Sequence, residues 1–173
     1  MKNSSSVAPL LTRPYLRDEI DRELATRRLG QFVRQAWRIV EPSTPFVAGW
    51  HIDAIVEHLE AVSCGQIRNL LINVPPRHMK SLLVAVLWPA WEWIRWPERR
   101  WLYSSYAAQL SILDSVKCRR LIESPWYQAR WGDRFALTSD QNTKGRFDND
   151  RSSHHSWRCS ARRKSGPPGW SHH

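Results

Sequence analysis

The residues best able to do chemistry lie in one stretch: Leu70-Leu71-Ile72-Asn73-Val74-Pro75-Pro76-Arg77-His78-Met79-Lys80-Ser81-Leu82-Leu83. A short apolar run meets a tight polar turn, and a Lys-Ser pair opens a second apolar run. Such a pair at a helix start can hold a nucleoside triphosphate with its magnesium, because the first N–H groups of a helix point at anions and the lysine adds a mobile positive charge. The general phosphate loop is Gly-x-x-x-x-Gly-Lys-Ser/Thr. Here Val74 and Met79 stand where the glycines would be, and Pro75 and Pro76 donate no N–H. The donors must then come from residues 77–81. Arg77 would fork onto phosphate oxygens, Lys80 would reach the β- and γ-phosphates, and the Ser81 hydroxyl would hold Mg2+ through the nucleotide. The same pattern also suits a basic loop that caps a core helix.

Elements must position these residues. From Asp18 onward Ile20, Leu24, Phe32, Val33, Ala36, Trp37 and Val40 recur at helical spacing, and Glu41-Pro42-Ser43-Thr44-Pro45 ends the run. A second helix is expected over 49–62, with Trp50, Ala54, Ile55, His58, Leu59 and Val62 on one stripe and Gly65 as its stop. Residues 69–74 are a strand candidate, apolar enough for the centre of a parallel sheet. After the loop 75–79, a helix is expected from Lys80 to about Trp93. Residues 101–106 read as the next strand. Ser104 and Ser105 either border a ligand crevice at its end or cap a helix carrying Leu110, Leu113, Val116 and Leu121. Ser124-Pro125 opens a short helix, and residues 134–137 and 144–147 suggest a hairpin. Strand, loop, helix, strand, helix predicts an α/β fold: a partial P-loop NTPase (ASCE-type) parallel sheet with flanking helices, preceded by N-terminal helices.

Composition sets outer bounds. With 173 residues the chain is one domain in size, able to bury roughly 70% of its unfolded surface. The net charge is +10, and half of it comes from Arg151, Arg158, Arg162, Arg163 and Lys164 in a tail without acids. A basic surface suits polyanions such as nucleic acid, and equally a merely solvated basic protein. Eleven Trp residues fall mostly at helix spacing, which points to core packing. Cys64, Cys118 and Cys159 are far apart, as free thiols in a reducing compartment would be. His154, His155 and Cys159 match no zinc spacing. No secretory signal is visible. The apolar run Leu82–Trp91 is interrupted by Pro89 and falls short of a membrane span, so it reads as a core helix.

Several blocks carry a more specific resemblance. Gly49-Trp50-His51-Ile52-Asp53, Leu71 through Ser81, Trp88-Pro89-Ala90-Trp91, Leu102 through Ala107, Asp114 through Ile122 and Asp140 through Phe147 together resemble the large terminase subunit of tailed phages and prophages, over roughly residues 30–151. In that family Pro-Pro-Arg-His, then Gly or Met, then Lys-Ser is the usual phosphate loop. The resemblance implies an ATP-driven motor that packages double-stranded DNA into capsids, with ATP and Mg2+ as cofactors. It implies the terminase small subunit and the portal protein as partners, homo-oligomers at full length, no membrane, and the cytoplasm of a bacterial host. Arg77, His78, Met79, Lys80 and Ser81 would line the nucleotide. His78 reads as a structural bystander in that loop. Trp50 and His51 sit where relatives place an aromatic-Gln pair against adenine. His51 replaces that Gln, which puts the base hydrogen bond in question, and Trp50 is as readily a core residue. Arg119 and Arg120 would face DNA, a neighbouring subunit or solvent.

The expected organisation is a leader and helix over 1–44, a partial ATPase domain over 45–151 and a disordered basic tail over 152–173, where no apolar period survives. Hydrolysis in this class needs a strand ending in paired acids, one for magnesium and one for the attacking water. No such strand follows residue 106, since Asp148 and Asp150 lack a preceding apolar run, and no catalytic residue is intact. The sequence therefore suggests a truncated subunit, frameshifted near Ser152 or His155. Trp157-Arg158-Cys159 read one base later can encode the Gly-rich stretch of the family. The alternatives are a non-enzymatic basic DNA-binding protein and a remnant of another P-loop translocase or helicase.

Overall fold

The computed structural model describes residues 14–105, 107–138, 146–151 and 157–161. These are mostly helical. In chain order they form α1 (Pro14–Arg27), α2 (Leu29–Val40), α3 (Trp50–Ser63), α4 (Lys80–Leu82), a π-helical segment (Leu83–Leu87), α5 (Trp88–Arg95), β1 (Trp101–Ser105), α6 (Ala108–Glu123), α7 (Pro125–Trp131), β2 (Arg146–Phe147) and β3 (Trp157–Ala161).

The single N-terminal helical pattern folds as two helices. Arg28 between them is extended, with φ −126° and ψ 120°, and gives α2 no side-chain cap. Glu60 of α3 supplies the cap instead: its Oε1 accepts the Leu29 N–H at 2.7 Å, and its Oε2 pairs with Arg28 at 3.1 Å. A carboxylate at a helix start satisfies an orphan donor and complements the helix dipole, so this contact both starts α2 and docks it on α3. α3 ends as its glycine suggests. Gly65 has φ 76°, its N–H reaches Val62 O, and the Gln66 N–H reaches Ala61 O.

The run over 80–95 changes register for a physical reason. Pro89 has no N–H, and its ring would press on the carbonyl four residues back. Over Leu83–Leu87 the helix widens, and the Trp88 N–H reaches Leu83 O, five residues back. Val84 O is then offered neither the Trp88 N–H nor any N–H from Pro89. The Tyr103 hydroxyl donates to it at 2.8 Å, tying β1 to the widened segment.

Side chains from most of these helices meet in one core: Phe32 and Val33 of α2, Ile55 and Leu59 of α3, Leu87 and Trp91 along the central helical run, Ile122 of α6, Tyr127 and Trp131 of α7, and Phe147 of β2. Core packing accounts for most tryptophans. Trp37, Trp91, Trp93 and Trp131 are buried, and their indole N–H groups donate to Thr44 O, Ala25 O, Arg99 O and Thr26 Oγ1. Trp50 is 83% exposed, so the α3 stripe does not include it. Glu92 is buried and is balanced by Arg99, which pairs with it and donates to Ser63 O at 3.0 Å.

The expected parallel-sheet P-loop fold is not formed. Residues 69–74 are not a strand: they run extended beside the core, with Leu70, Ile72 and Val74 half-buried and Leu71 94% exposed, and they lack a ladder partner among the described residues. Extended backbone becomes a strand only when another strand satisfies its N–H and C=O groups. The small sheet that does form lies elsewhere, in the order β1-β3-β2, with β1 and β3 parallel and β3 and β2 antiparallel. Its central strand comes from residues 157–161, inside the segment expected to be disordered. The rest of 152–173 lies outside the described residues.

Two further expectations need correcting. The apolar positions Leu110 and Leu113 of α6 are exposed, and that helix turns Ser111, Ser115, Cys118, Leu121 and Ile122 inward. The inward side chains Ser111 and Ser115 are small, which suits a close approach of α6 to the core. The hairpin is shifted: Leu137 bridges Asn149, the Thr138 N–H reaches Asp148 O, and the Asp150 N–H reaches Ala136 O. α7 is as expected, with Ser124 Oγ accepting the Tyr127 N–H ahead of Pro125.

Candidate functional site

The turn at 75–79 is exposed except for half-buried Met79, and its backbone is the informative part. Arg77 and Met79 both lie in the left-handed region, at φ 69° and 60°. That region costs a side-chain-bearing residue about 1–2 kcal/mol, so it persists only where the surroundings enforce it. Met79 occupies the position of the second glycine in the general loop and adopts the conformation a glycine would adopt freely. Two features enforce it. Met79 packs on the core, and its carbonyl accepts the Leu83 N–H at 2.9 Å, which locks the first helical turn. His78 ties the turn to itself, with Nδ1 3.2 Å from Pro75 O and 3.0 Å from Pro76 O. Carbonyls only accept, so Nδ1 carries the proton.

Lys80 and Ser81 follow at the start of the helical run, both exposed. They are shared by two recesses. One, of about 450 Å³, is bounded by residues 74–82 alone. The other, a cleft of about 390 Å³, runs from Lys80 and Ser81 past Val84 and Ala85 to Tyr103, Ser104 and Ser105 at the end of β1. Leu70 and Ile72 form one apolar wall, and Leu110, Ser111 and Asp114 of α6 line the cleft as well. Ser104 and Ser105 thus border a crevice. Ser105 Oγ also accepts the Ala107 N–H at 3.5 Å just ahead of α6, while Ala107 itself gives that helix no side-chain cap.

The structure brings Arg77, His78, Met79, Lys80 and Ser81 together and sets His51 beside them, with the His51 and His78 rings 5.4 Å apart edge to face. Gly49 makes this possible, since a Cβ there would meet the His51 ring at 2.7 Å. Trp50 packs edge-on to His51 at 6.2 Å but lines neither recess. Arg119 pairs with Glu123 at 3.9 Å, and Arg120 is exposed. Asp148 and Asp150 lie in the hairpin, away from both recesses. Among the described residues no three His, Cys, Asp or Glu side chains gather as a metal site.

Sequence reasoning gave no site role to Tyr103 or Asp114. The signal for Asp114 was its helical spacing from Leu110 and Ser111, which puts all three on one face of α6. Burial pushes the Asp114 carboxyl up from its usual range, against a smaller opposing pull from Lys117. Burial also raises the Tyr103 phenol well above its ordinary value, which keeps it a neutral donor to Val84 O. No helix among the described residues is long and apolar enough to cross a membrane. Comparison with protein-family models, with curated proteins and with solved structures finds no match.

Proposed function

We propose that this chain is a nucleotide-binding piece of a phage terminase large subunit, the ATP-driven motor that packages double-stranded DNA, and that it binds ATP with Mg2+ without turning it over. One observation carries the reading. A solvent-open turn with left-handed Arg77 and Met79 delivers Lys80 and Ser81 to the start of a helical run, at the mouth of a cleft that reaches the end of a strand. That arrangement puts a guanidinium, an ammonium, a hydroxyl and helix-start N–H groups where a triphosphate can enter. In this reading Lys80 neutralises the β- and γ-phosphates, Arg77 forks onto phosphate oxygens, Ser81 contributes to the magnesium shell, and Trp50 offers an exposed face for the base. Double-stranded DNA is the proposed polyanionic partner, and the small subunit and portal protein are proposed on the family resemblance alone.

Catalysis is not part of the proposal, because no apolar strand ending in paired acids follows the loop in this sequence. The test is titration of the full chain with a fluorescent ATP analogue in excess Mg2+, beside a steady-state phosphate-release assay. Saturable binding that Lys80→Ala weakens at least about tenfold, with no turnover above background, is the expected outcome. Unchanged binding in Lys80→Ala, or no binding by the unmodified chain, defeats the reading.

A further inference from the structure

The cleft beside Lys80 and Ser81 contains one carboxylate, that of Asp114, and its situation is unusual. It is half-buried, and its other neighbours along the cleft are apolar side chains, hydroxyls and the Lys80 side chain. Among the described residues it takes part in no ion pair or hydrogen bond. Lys117, one helical turn away, is engaged elsewhere, with its ammonium 2.6 Å from Glu41. A carboxylate drawn from water without a partner destabilises the fold that holds it. Such a cost is common where a ligand supplies the missing charge. The ligand cannot be a bare triphosphate, whose oxygens Asp114 would repel. A hard dication removes the conflict, because Mg2+ is bound by one or two carboxylates together with phosphate oxygens and water.

We propose that Asp114 is a ligand, directly or through a water molecule, of the magnesium ion that accompanies a nucleoside triphosphate in this cleft, acting with Ser81. The assignment rests on the nucleotide reading above and adds to it an acid that lies on a helix and not at the end of a paired-acid strand. It also fixes the species bound as the magnesium complex.

The experiment is a fluorescent-ATP titration of the full chain and of its Asp114→Asn variant, each in excess Mg2+ and in EDTA, with melting curves alongside. The unmodified chain should bind the magnesium complex about tenfold or more tighter than free nucleotide. Asp114→Asn should lose that advantage while binding metal-free nucleotide at least as well, since a repelling charge has gone. Retention of the full magnesium advantage in Asp114→Asn overturns the assignment and leaves the nucleotide reading standing. Equal weakening in Mg2+ and EDTA, with a lowered Tm, makes the residue merely structural and also overturns it. Absence of binding by the unmodified chain defeats the nucleotide reading first, and this one with it.

Discussion

Arg77 and Met79 spend conformational energy to hold the turn open, and the two differ in what they return. Met79 is half-buried against the core, so its strain is offset by packing. Arg77 is exposed and has no such offset. Arg77→Gly should therefore stabilise the fold by about 0.5–1 kcal/mol, the relief of left-handed strain less the extra entropy of an unfolded glycine. It should also weaken nucleotide binding through the lost guanidinium. Denaturant unfolding and the fluorescence titration read the two effects separately, and a loss of stability would show that the Arg77 side chain stabilises the turn by more than its strain costs. Asp114 gives a pH signature. Its folded pKa is raised, so its contribution to stability is fully present below the unfolded carboxyl range and is lost as pH rises through the folded value. Asp114→Asn removes that loss. The Tm of the variant should match the unmodified chain near pH 4 and exceed it increasingly toward neutrality, in metal-free buffer.

At the scale of elements, Pro89 and Tyr103 work as a pair. The proline forces the wide register, the register leaves Val84 O without a backbone donor, and the Tyr103 hydroxyl supplies one. Tyr103→Phe should cost about 1 kcal/mol, the loss of a part-buried hydrogen bond. Pro89→Ala restores an N–H to the helix, so Tyr103→Phe should cost less in that background. A double-mutant cycle by urea unfolding measures this coupling, and strict additivity would separate the tyrosine from the register change. The helices themselves were legible: Pro42 and Pro45 marked the end of α2, Gly65 the stop of α3, and Ser124-Pro125 the start of α7. The faces were less so. Leu110 and Leu113 look like the buried side of α6 from their apolarity, yet Ser111, Ser115 and Cys118 face the core. Helical period says which residues share a face, while the available space decides which face goes inward.

For the whole molecule the decisive segment is the one that looked expendable. β3 sits between β1 and β2, so a chain ending at Arg151 loses the centre of its only sheet among the described residues along with four positive charges of the net +10. That truncation should lower the Tm by about 4 °C or more. An unchanged Tm would show that 152–173 adds nothing to the fold. The sequence by itself determined the end of α2, the stop of α3, the start of α7, the Arg77–Ser81 cluster at a helix start and the lack of a paired-acid strand, because caps, prolines and neighbouring side chains act over a few residues. Tertiary structure alone decided that residues 69–74 go unpaired, that the basic tail supplies a strand, that Trp50 faces solvent and that Asp114 shares a cleft with Lys80 and Ser81. Those outcomes depend on which distant segments satisfy each other's backbone groups and fill each other's volume, and no local pattern encodes a partner that is remote in the chain.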